Sequence, residues 1–544
     1  MTNRTRTDVL LMAGFCGFLF FYGMGQFGLI GADEPRYAQV AREMLERHDW
    51  VTPVLGGHPW LEKPPLYYWQ AMLAYSAFGV SDVAARVPGA VDATLLVLAV
   101  YLFFRRFRKG VEVDAALITA SCAGVIGYAH AASMDMALAA TFSIGMLAWW
   151  AWRESLNESL NQKQNRVYLA MFYICLALGM LAKGPVAPFL AGAVIICFAI
   201  AIREFRLVLR TLWVPGILLF CAVALPWYVA VQMRNPQFFR EFILQHNLAR
   251  FSSDLYHHRQ PFWYYLPVTL LALVPWSVFV VAAFVRTVRI WWSERKSIPS
   301  VPDLEMQFSV FVCCWLAAPV VFFSLSQSKL PGYILPVIPA GAVLLAEYLR
   351  QHFEEEESAS KWLVVAHALV ATAPMVPALL IAYVVTQRRL PAGQPMLVAL
   401  AVAFVLCAAI ALTLASRLRL RMLRFVTLIP VVLAVAAVLK LGTLSIDHAL
   451  SVRPLAMELA SVETHPLPLA VIGVSRETEY GLTFYRNRAA VRYERDGVPA
   501  EEHLLVAPAT WKVEVAKETS GRRVSFLGNY APQNVDYYWV SAKP

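Results

Sequence analysis

Charge is scarce in this chain. Only 15% of its 544 residues are Asp, Glu, Lys or Arg, while 59% are hydrophobic. With a mean hydropathy of +0.54, that places it among polytopic membrane proteins. Cysteine is also sparse: eight residues, all in apolar segments, none at metal-ligand spacing and none in the last hundred residues. Neither a disulfide framework nor a metal cluster is expected. No internal repeat, heptad pattern or low-complexity tract is found. The first apolar segment lacks a small-residue cleavage site, so it reads as a retained helix rather than a signal peptide. The centres of the apolar runs carry few ionisable groups, which argues against a transporter with a charged midplane site. The net charge of +10 is not a nucleic-acid signal, because Lys and Arg in short loops are what orient a membrane protein.

What is present is a series of apolar runs long enough to span a bilayer. They lie near 9–30, 82–104, 114–132, 134–152, 167–182, 186–202, 211–231, 263–285, 307–325, 332–349, 362–386, 396–415 and 425–446. This predicts about thirteen transmembrane helices. If the N-terminus is cytoplasmic, the loops at 105–109, 153–166, 203–210, 286–296, 350–361 and 416–424 share its side. They carry most of the helix-flanking Lys and Arg, as the positive-inside rule requires. The acidic run 354–357 reads as a solvated loop. Residues 447–544 then emerge on the opposite side. Their short runs Leu469–Val474, Leu504–Val506, Val524–Leu527 and Tyr537–Val540, bounded by turn residues or charge, predict a small soluble α/β domain. The expected division is therefore a transmembrane domain, 1–446, with external loops at 32–81 and 232–262, and a soluble domain, 447–544.

The stretch Gly31–Trp69 follows the first apolar segment and is too polar to cross a bilayer. Tyr37, Val40, Ala41, Met44 and Leu45 share one helical face, opposite Arg42, Glu43, Glu46 and Arg47. That pattern predicts an amphipathic helix on the membrane surface, with Asp33 at the N-cap and Pro35 in the first turn. A carboxylate such as Asp33 can take an acceptor's proton or fix its position. Glu34 reads as a first-turn acid beside the helix dipole, or as a pocket residue. Glu62-Lys63-Pro64-Pro65, followed by Leu66-Tyr67-Tyr68-Trp69, offers an ammonium to a phosphate or snorkels above an aromatic belt. Glu62 with His257 is the weak metal alternative, lacking standard ligand spacing. Asp135 sits among small and apolar neighbours, as functional or paired charges near membranes do, or caps the following helix. Lys183 reads as a cation complementing a helix C-terminus. In the segment 226–265, His257, His258 and Arg259 close a basic stretch, and Arg259 is the preferred phosphate ligand. Lys329 and Tyr333 repeat the Lys–Pro–Tyr theme and can neutralise and hydrogen-bond a phosphate.

Asp33-Glu34-Pro35-Arg36-Tyr37-Ala38, with Glu62-Lys63-Pro64, Lys183-Gly184, Leu225-Pro226-Trp227, His258-Arg259, Pro261-Phe262-Trp263-Tyr264-Tyr265 and Lys329-Leu330-Pro331, resembles a known family. It is that of the bacterial 4-amino-4-deoxy-L-arabinose lipid A transferases, grouped with the protein O-mannosyltransferases in the GT-C superfamily. The resemblance runs in order to about residue 350. It implies an inner-membrane enzyme of GT-C fold, facing the periplasm. Such an enzyme moves a sugar from an undecaprenyl-phosphate carrier to an acceptor with inversion. It implies Asp33 as principal catalytic carboxylate and Asp135 as a second acid. Lys63, Arg36, Arg259, Lys329 and Tyr333 would surround the carrier phosphate. Tyr37 would line the pocket, for which Glu34, Tyr67 and His258 are further candidates. The chain after Pro64 follows the broader bacterial family, so the sugar and the acceptor, lipid A phosphate or another envelope molecule, stay open. No cofactor beyond the lipid carrier is implied as required, and a divalent metal stays possible. Membrane lipids and the acceptor are the expected partners, with no nucleic acid, and a monomer is expected. A lipid or sugar transporter and a non-catalytic scaffold using the C-terminal domain are the readings from other classes.

Overall fold

A computed structural model of the chain describes residues 3–156, 162–242, 260–297, 303–355, 360–386, 394–415, 420–439, 443–463 and 465–543. The chain divides into two compact units. One holds Met1–Tyr22, Leu61–Tyr67 and Val87–Val438, the other Gly23–Trp60, Tyr68–Arg86 and Leu439–Pro544.

The first unit is helical. Every apolar run read from the sequence carries helix. Among the described residues eight helices are long and apolar enough to cross a membrane, or ten if each of two bent pairs is one span. The count falls below thirteen for identifiable reasons. The run near 114–132 breaks by 63° at Cys122, and that at 263–285 bends by 116°. Val186–Ile202 has only 17 residues. The N-terminal run is Asn3–Cys16 followed by a π-helical turn, Gly17–Phe21.

The helix Asp135–Ser155 orders this unit. Its 21 residues reach about 30 Å at 1.5 Å per residue, the thickness of a hydrocarbon core. Trp149, Trp150, Phe198, Phe308 and Phe311 interlock along it, with ring centroids as close as 5.1 Å. At its C-terminal end Arg108, Arg153, Glu154, Glu347 and Arg350 are buried. Arg108 donates to Glu154 at 2.6 Å and lies 3.8 Å from Glu347. Arg350 bonds Glu347 at 2.8 Å and Glu305 at 2.9 Å. Arg153 donates to Glu204 and to Gln307 at 2.9 and 3.0 Å. Helix ends that loop parity put on one side are thus in contact, and opposite charges offset one another's desolvation.

The second unit is built on a five-stranded sheet. Its order is Val491–Arg492, Leu469–Val471, His503–Pro508, Val535–Val540, Val524–Tyr530. The first three strands are parallel and the last two pair antiparallel. All four sequence-predicted strands are present. Alternation along them feeds two layers. Leu469, Val471, Leu504 and Val506 pack with Leu455, Leu459 and Leu482 of the helices Arg453–Val462 and Arg476–Arg486. Ala470, Leu505 and Ala507 face Val515 of the helix Lys512–Glu518.

The helix Asp33–Glu46 belongs to this second unit. Its apolar face was expected to rest on lipid. Ala38, Val40, Ala41 and Met44 are instead fully buried in protein. Arg42 donates to the Phe484 carbonyl at 3.1 Å, and Asn487 to Glu46 at 3.3 Å, so the helix packs beside Arg476–Arg486. Asp33 is the first helical residue, with Ala32 at the cap and no side-chain cap bond. Pro35 is in the first turn, as expected.

Candidate functional site

The expected site residues fall into two sets, one in each unit. In the membrane unit, Asp135 opens one helix and Lys183 closes another, Gln162–Lys183. Lys183 donates to the Asp135 carboxylate in an ion pair. The chain leaves the Lys183 helix through Gly184 at φ +85°, a left-handed conformation that glycine adopts without strain. The Lys183 ammonium also sits over the Tyr333 ring, 4.7 Å from its centroid, a cation–π arrangement. Asp135 read from the sequence as a functional or paired charge, or a helix cap, and Lys183 as a dipole cation; the structure pairs the two.

The Lys329–Tyr333 motif reaches the same place. Gly332 packs so closely that a Cβ there would lie 2.6 Å from the Tyr128 hydroxyl and 2.7 Å from Asp135 Oδ1. Lys329 is buried and donates to the Ser326 carbonyl. The Tyr265 hydroxyl donates to the Leu330 carbonyl and accepts from the Leu330 N–H, both at 3.1 Å. Leu66 packs against Ala137, Leu138 and Ala182, which brings the Glu62–Tyr67 turn alongside the Asp135 and Lys183 helix ends. Lys63 there is half-buried and Tyr67 fully buried. Tyr128 had no distinguishing signal in the sequence.

In the second unit, Asp33 and Arg36 form the other set. Arg36 donates to Asp33 Oδ1 at 2.5 Å and to the Tyr37 hydroxyl at 3.1 Å. Its guanidinium lies 4.9, 5.2 and 5.6 Å from the ring centroids of Tyr37, Trp60 and Tyr480. The Arg36 side chain is 11% exposed and that of Asp33 56%. The arrangement is a buried cation presenting a solvent-facing carboxylate. Arg36, expected among the phosphate ligands, is engaged with Asp33 here.

Glu34 lies in the first turn, as expected. It accepts from Arg86 at 2.7 Å and from the Ile30 N–H at 2.8 Å, and so holds the backbone just before Asp33. Arg86 is fully buried and also donates to the Met24, Phe27 and Gly28 carbonyls at 2.7–2.8 Å. From the helix Arg476–Arg486, the Tyr485 hydroxyl accepts from the Leu29 N–H at 2.6 Å and donates to Asp82 at 2.7 Å. Burial and the neighbouring Asp82 charge push that phenol's pKa up. Arg453 bonds Asp82 at 2.9 Å, Asp447 at 2.7 Å and the Gly25 and Gln26 carbonyls at 3.1 Å.

His257, His258 and Arg259 lie outside the described residues. Among the described residues no three His, Cys, Asp or Glu side chains converge as a metal site.

Residues 9–240 match the family described as dolichyl-phosphate-mannose-protein mannosyltransferase. An undecaprenyl phosphate-alpha-4-amino-4-deoxy-L-arabinose arabinosyl transferase of Pseudomonas aeruginosa is 31% identical over 356 residues, 64% of this chain and 60% of its own length. The transferase of the same name from Photorhabdus laumondii is 30% identical with the same coverage. The matched stretch thus spans less than two thirds of those relatives. Among solved structures, ArnT from Cupriavidus metallidurans bound to undecaprenyl phosphate aligns with a TM-score of 0.72. It is 22% identical and covers 98% of this chain and 97% of that one.

The fold is that of ArnT.

The apo ArnT structure gives a TM-score of 0.74 at 21% identity. An archaeal oligosaccharyltransferase, AglB from Archaeoglobus fulgidus, aligns more loosely, at 0.50 and 10% identity over 95% of this chain and 71% of that one. The ArnT likeness takes in the C-terminal sheet as well as the helices, where the motif resemblance stopped near residue 350. With this fold and its apolar helices the chain is a multi-pass membrane protein.

Proposed function

We propose that this protein is an inverting glycosyltransferase of the bacterial inner membrane. It moves 4-amino-4-deoxy-L-arabinose from undecaprenyl phosphate to a lipid A phosphate on the periplasmic face. The observation that carries the reading is the in-order likeness, over 356 residues, to proteins whose names state that donor and sugar. The concentration of Lys and Arg in alternate loops supports the orientation.

The chemistry assigned to the residues follows from charge. The bond between the anomeric carbon and the carrier phosphate oxygen breaks, and its electron pair leaves with the phosphate. Lys63, Arg259 and Lys329 stabilise that departing charge electrostatically, and Tyr333 donates a hydrogen bond. An acceptor oxygen attacks the opposite face of the sugar, which inverts the anomeric carbon. A lipid A phosphate is already anionic, so Asp33 has only to orient it or take a residual proton. A hydroxyl acceptor would make Asp33 a general base. Asp135, paired with Lys183, is assigned as the second acid. Arg36, bonded to Asp33, holds that carboxylate rather than the carrier phosphate.

The match of residues 9–240 to a protein mannosyltransferase family favours a second reading, in which the acceptor is an envelope protein. The test is transfer of radiolabelled sugar from undecaprenyl phosphate by purified protein in lipid nanodiscs, with lipid A or envelope protein offered. Asp33→Asn should abolish transfer while leaving expression and thermal stability intact. Near-normal turnover by that variant would remove Asp33 from the mechanism.

A further inference from the structure

The Asp33–Arg36 pair is built from more than its own helix. Three aromatic rings surround the Arg36 guanidinium. Tyr37 comes from the same helix, Trp60 from the turn after it, and Tyr480 from the helix Arg476–Arg486 of the C-terminal sheet. The third is separated from Arg36 by more than four hundred residues of sequence, and nothing in the reaction's chemistry calls for it. Its placement has independent supports. Arg42 donates to the Phe484 carbonyl at 3.1 Å, and the Tyr485 hydroxyl accepts from the Leu29 N–H at 2.6 Å. The same short helix therefore grips both the Asp33 helix and the backbone leading into it.

We propose that Tyr480 is a positioning residue for glycosyl transfer, acting through Arg36 on the Asp33 carboxylate. This rests on the assignment of Asp33 to the reaction. The physical argument concerns the fork of the guanidinium. A planar cation stacked among ring faces keeps its plane, and so keeps the direction of the N–H that it aims at a carboxylate. Half of the Asp33 side chain faces solvent, where a carboxylate on a short side chain would otherwise rotate freely among its rotamers. The 2.5 Å bond from Arg36 fixes one of its oxygens. That leaves the other with a defined direction in which to meet an acceptor. Removing one ring from the enclosure loosens the guanidinium, and the cost falls on orientation rather than on donor binding. The soluble domain thereby takes part in turnover through one side chain, without touching substrate.

The experiment uses full-length protein in nanodiscs with the radiolabelled undecaprenyl-phosphate sugar and lipid A. Tyr480→Leu keeps bulk and apolarity but removes the ring. It should lower kcat about three- to thirtyfold, the range of a lost cation–π contact, with the donor KM unchanged. The thermal midpoint should stay at the wild-type value. Tyr480→Phe, which keeps the ring face, should restore kcat. In an Arg36→Lys background the Tyr480→Leu loss should vanish, because the planar group it acts on is gone. Tyr480→Met serves the same purpose if the Leu variant fails to fold. A wild-type kcat for either ring-less variant overturns the proposal, as does a loss that persists undiminished beside Arg36→Lys. Asp33→Asn measured in parallel separates the two failures. If that variant turns over normally, the Asp33 assignment falls. If it is dead while Tyr480→Leu is normal, only the role of Tyr480 falls.

Discussion

Replacing Arg86 with Met tests how the backbone before Asp33 is held. Arg86 is 0% exposed. Its two terminal nitrogens donate to the Met24, Phe27 and Gly28 carbonyls and to Glu34, all within 2.8 Å. Its guanidinium also lies 4.4 Å from the Phe27 ring centroid. Methionine fills the space of the stem and supplies no donor. Each buried carbonyl left without its partner costs about 1–3 kcal/mol. A buried charge that loses its counter-ion costs about 3–5 kcal/mol. Glu34 keeps its bond from the Ile30 N–H and has a 12% exposed side chain, so water can reach it and the low end of each range applies. The expected loss is about 6 kcal/mol, with about 2 kcal/mol for Arg86→Lys, whose ammonium reaches some of the same acceptors without the fork. Thermal unfolding of the full-length protein reads the total. Amide hydrogen exchange of Gly28, Leu29 and Ile30 shows whether the loss is local to this turn. A Met variant with a wild-type midpoint and unchanged exchange at those three amides would refute the reasoning.

Gly332→Ala should push against Tyr128 and Asp135, since the added carbon would lie 2.6 and 2.7 Å from their oxygens. A displacement of about 1 Å at a reacting group costs about 100-fold in kcat/KM, and an unchanged value would show that Asp135 is not held at its working position by this contact. Lys183→Met leaves the Asp135 carboxylate unpaired and should destabilise by about 3 kcal/mol, whereas adding Asp135→Leu should recover part of that loss; strictly additive denaturation data would contradict a coupled pair. His503 is fully buried, bonded to Tyr493 and to the Glu501 carbonyl at 2.8 Å. Burial, helped by the nearby Arg522 charge, holds its pKa below the usual 6.5. The neutral form is thus favoured on folding, so its contribution is complete above about pH 6.5 and is lost as the pH falls through the lowered folded value. Proteolysis of the C-terminal sheet should accelerate from pH 7.5 to pH 5, and His503→Gln should flatten that dependence; a wild-type rate constant across the range would contradict it.

Much of this architecture is legible in the residues, and the gaps have physical causes. Hydropathy finds the apolar runs because a spanning helix needs an unbroken apolar length. It does not see the break at Cys122, since both halves are equally apolar. Alternation finds Leu469–Val471 and the other main strands, because period two feeds two layers. Strand order and the change from parallel to antiparallel pairing leave no such trace. Periodicity marks the buried face of the Asp33 helix, yet an apolar face says only that it is covered. Here the cover is protein of the second unit rather than lipid. Pairs across helices are invisible for a related reason. Asp135 stands out as a charge in need of a partner, but nothing in the sequence names Lys183, and Arg108 and Glu154 each look like an ordinary helix-end charge until folding joins them. The basic loops near Arg108 and Arg153 fit the positive-inside pattern, and that pattern hides their burial against Glu154, Glu347 and Gln307.

The central claim is that this chain forms a glycosidic bond to lipid A using Asp33. Mass spectrometry of lipid A from cells with the wild-type chain, with Asp33→Asn and without the chain tests it most directly. Lipid A should carry one added aminopentose on a phosphate with the wild-type chain alone. Lipid A of identical mass in all three, with the protein present in the membrane and the undecaprenyl-phosphate sugar supplied, would contradict it.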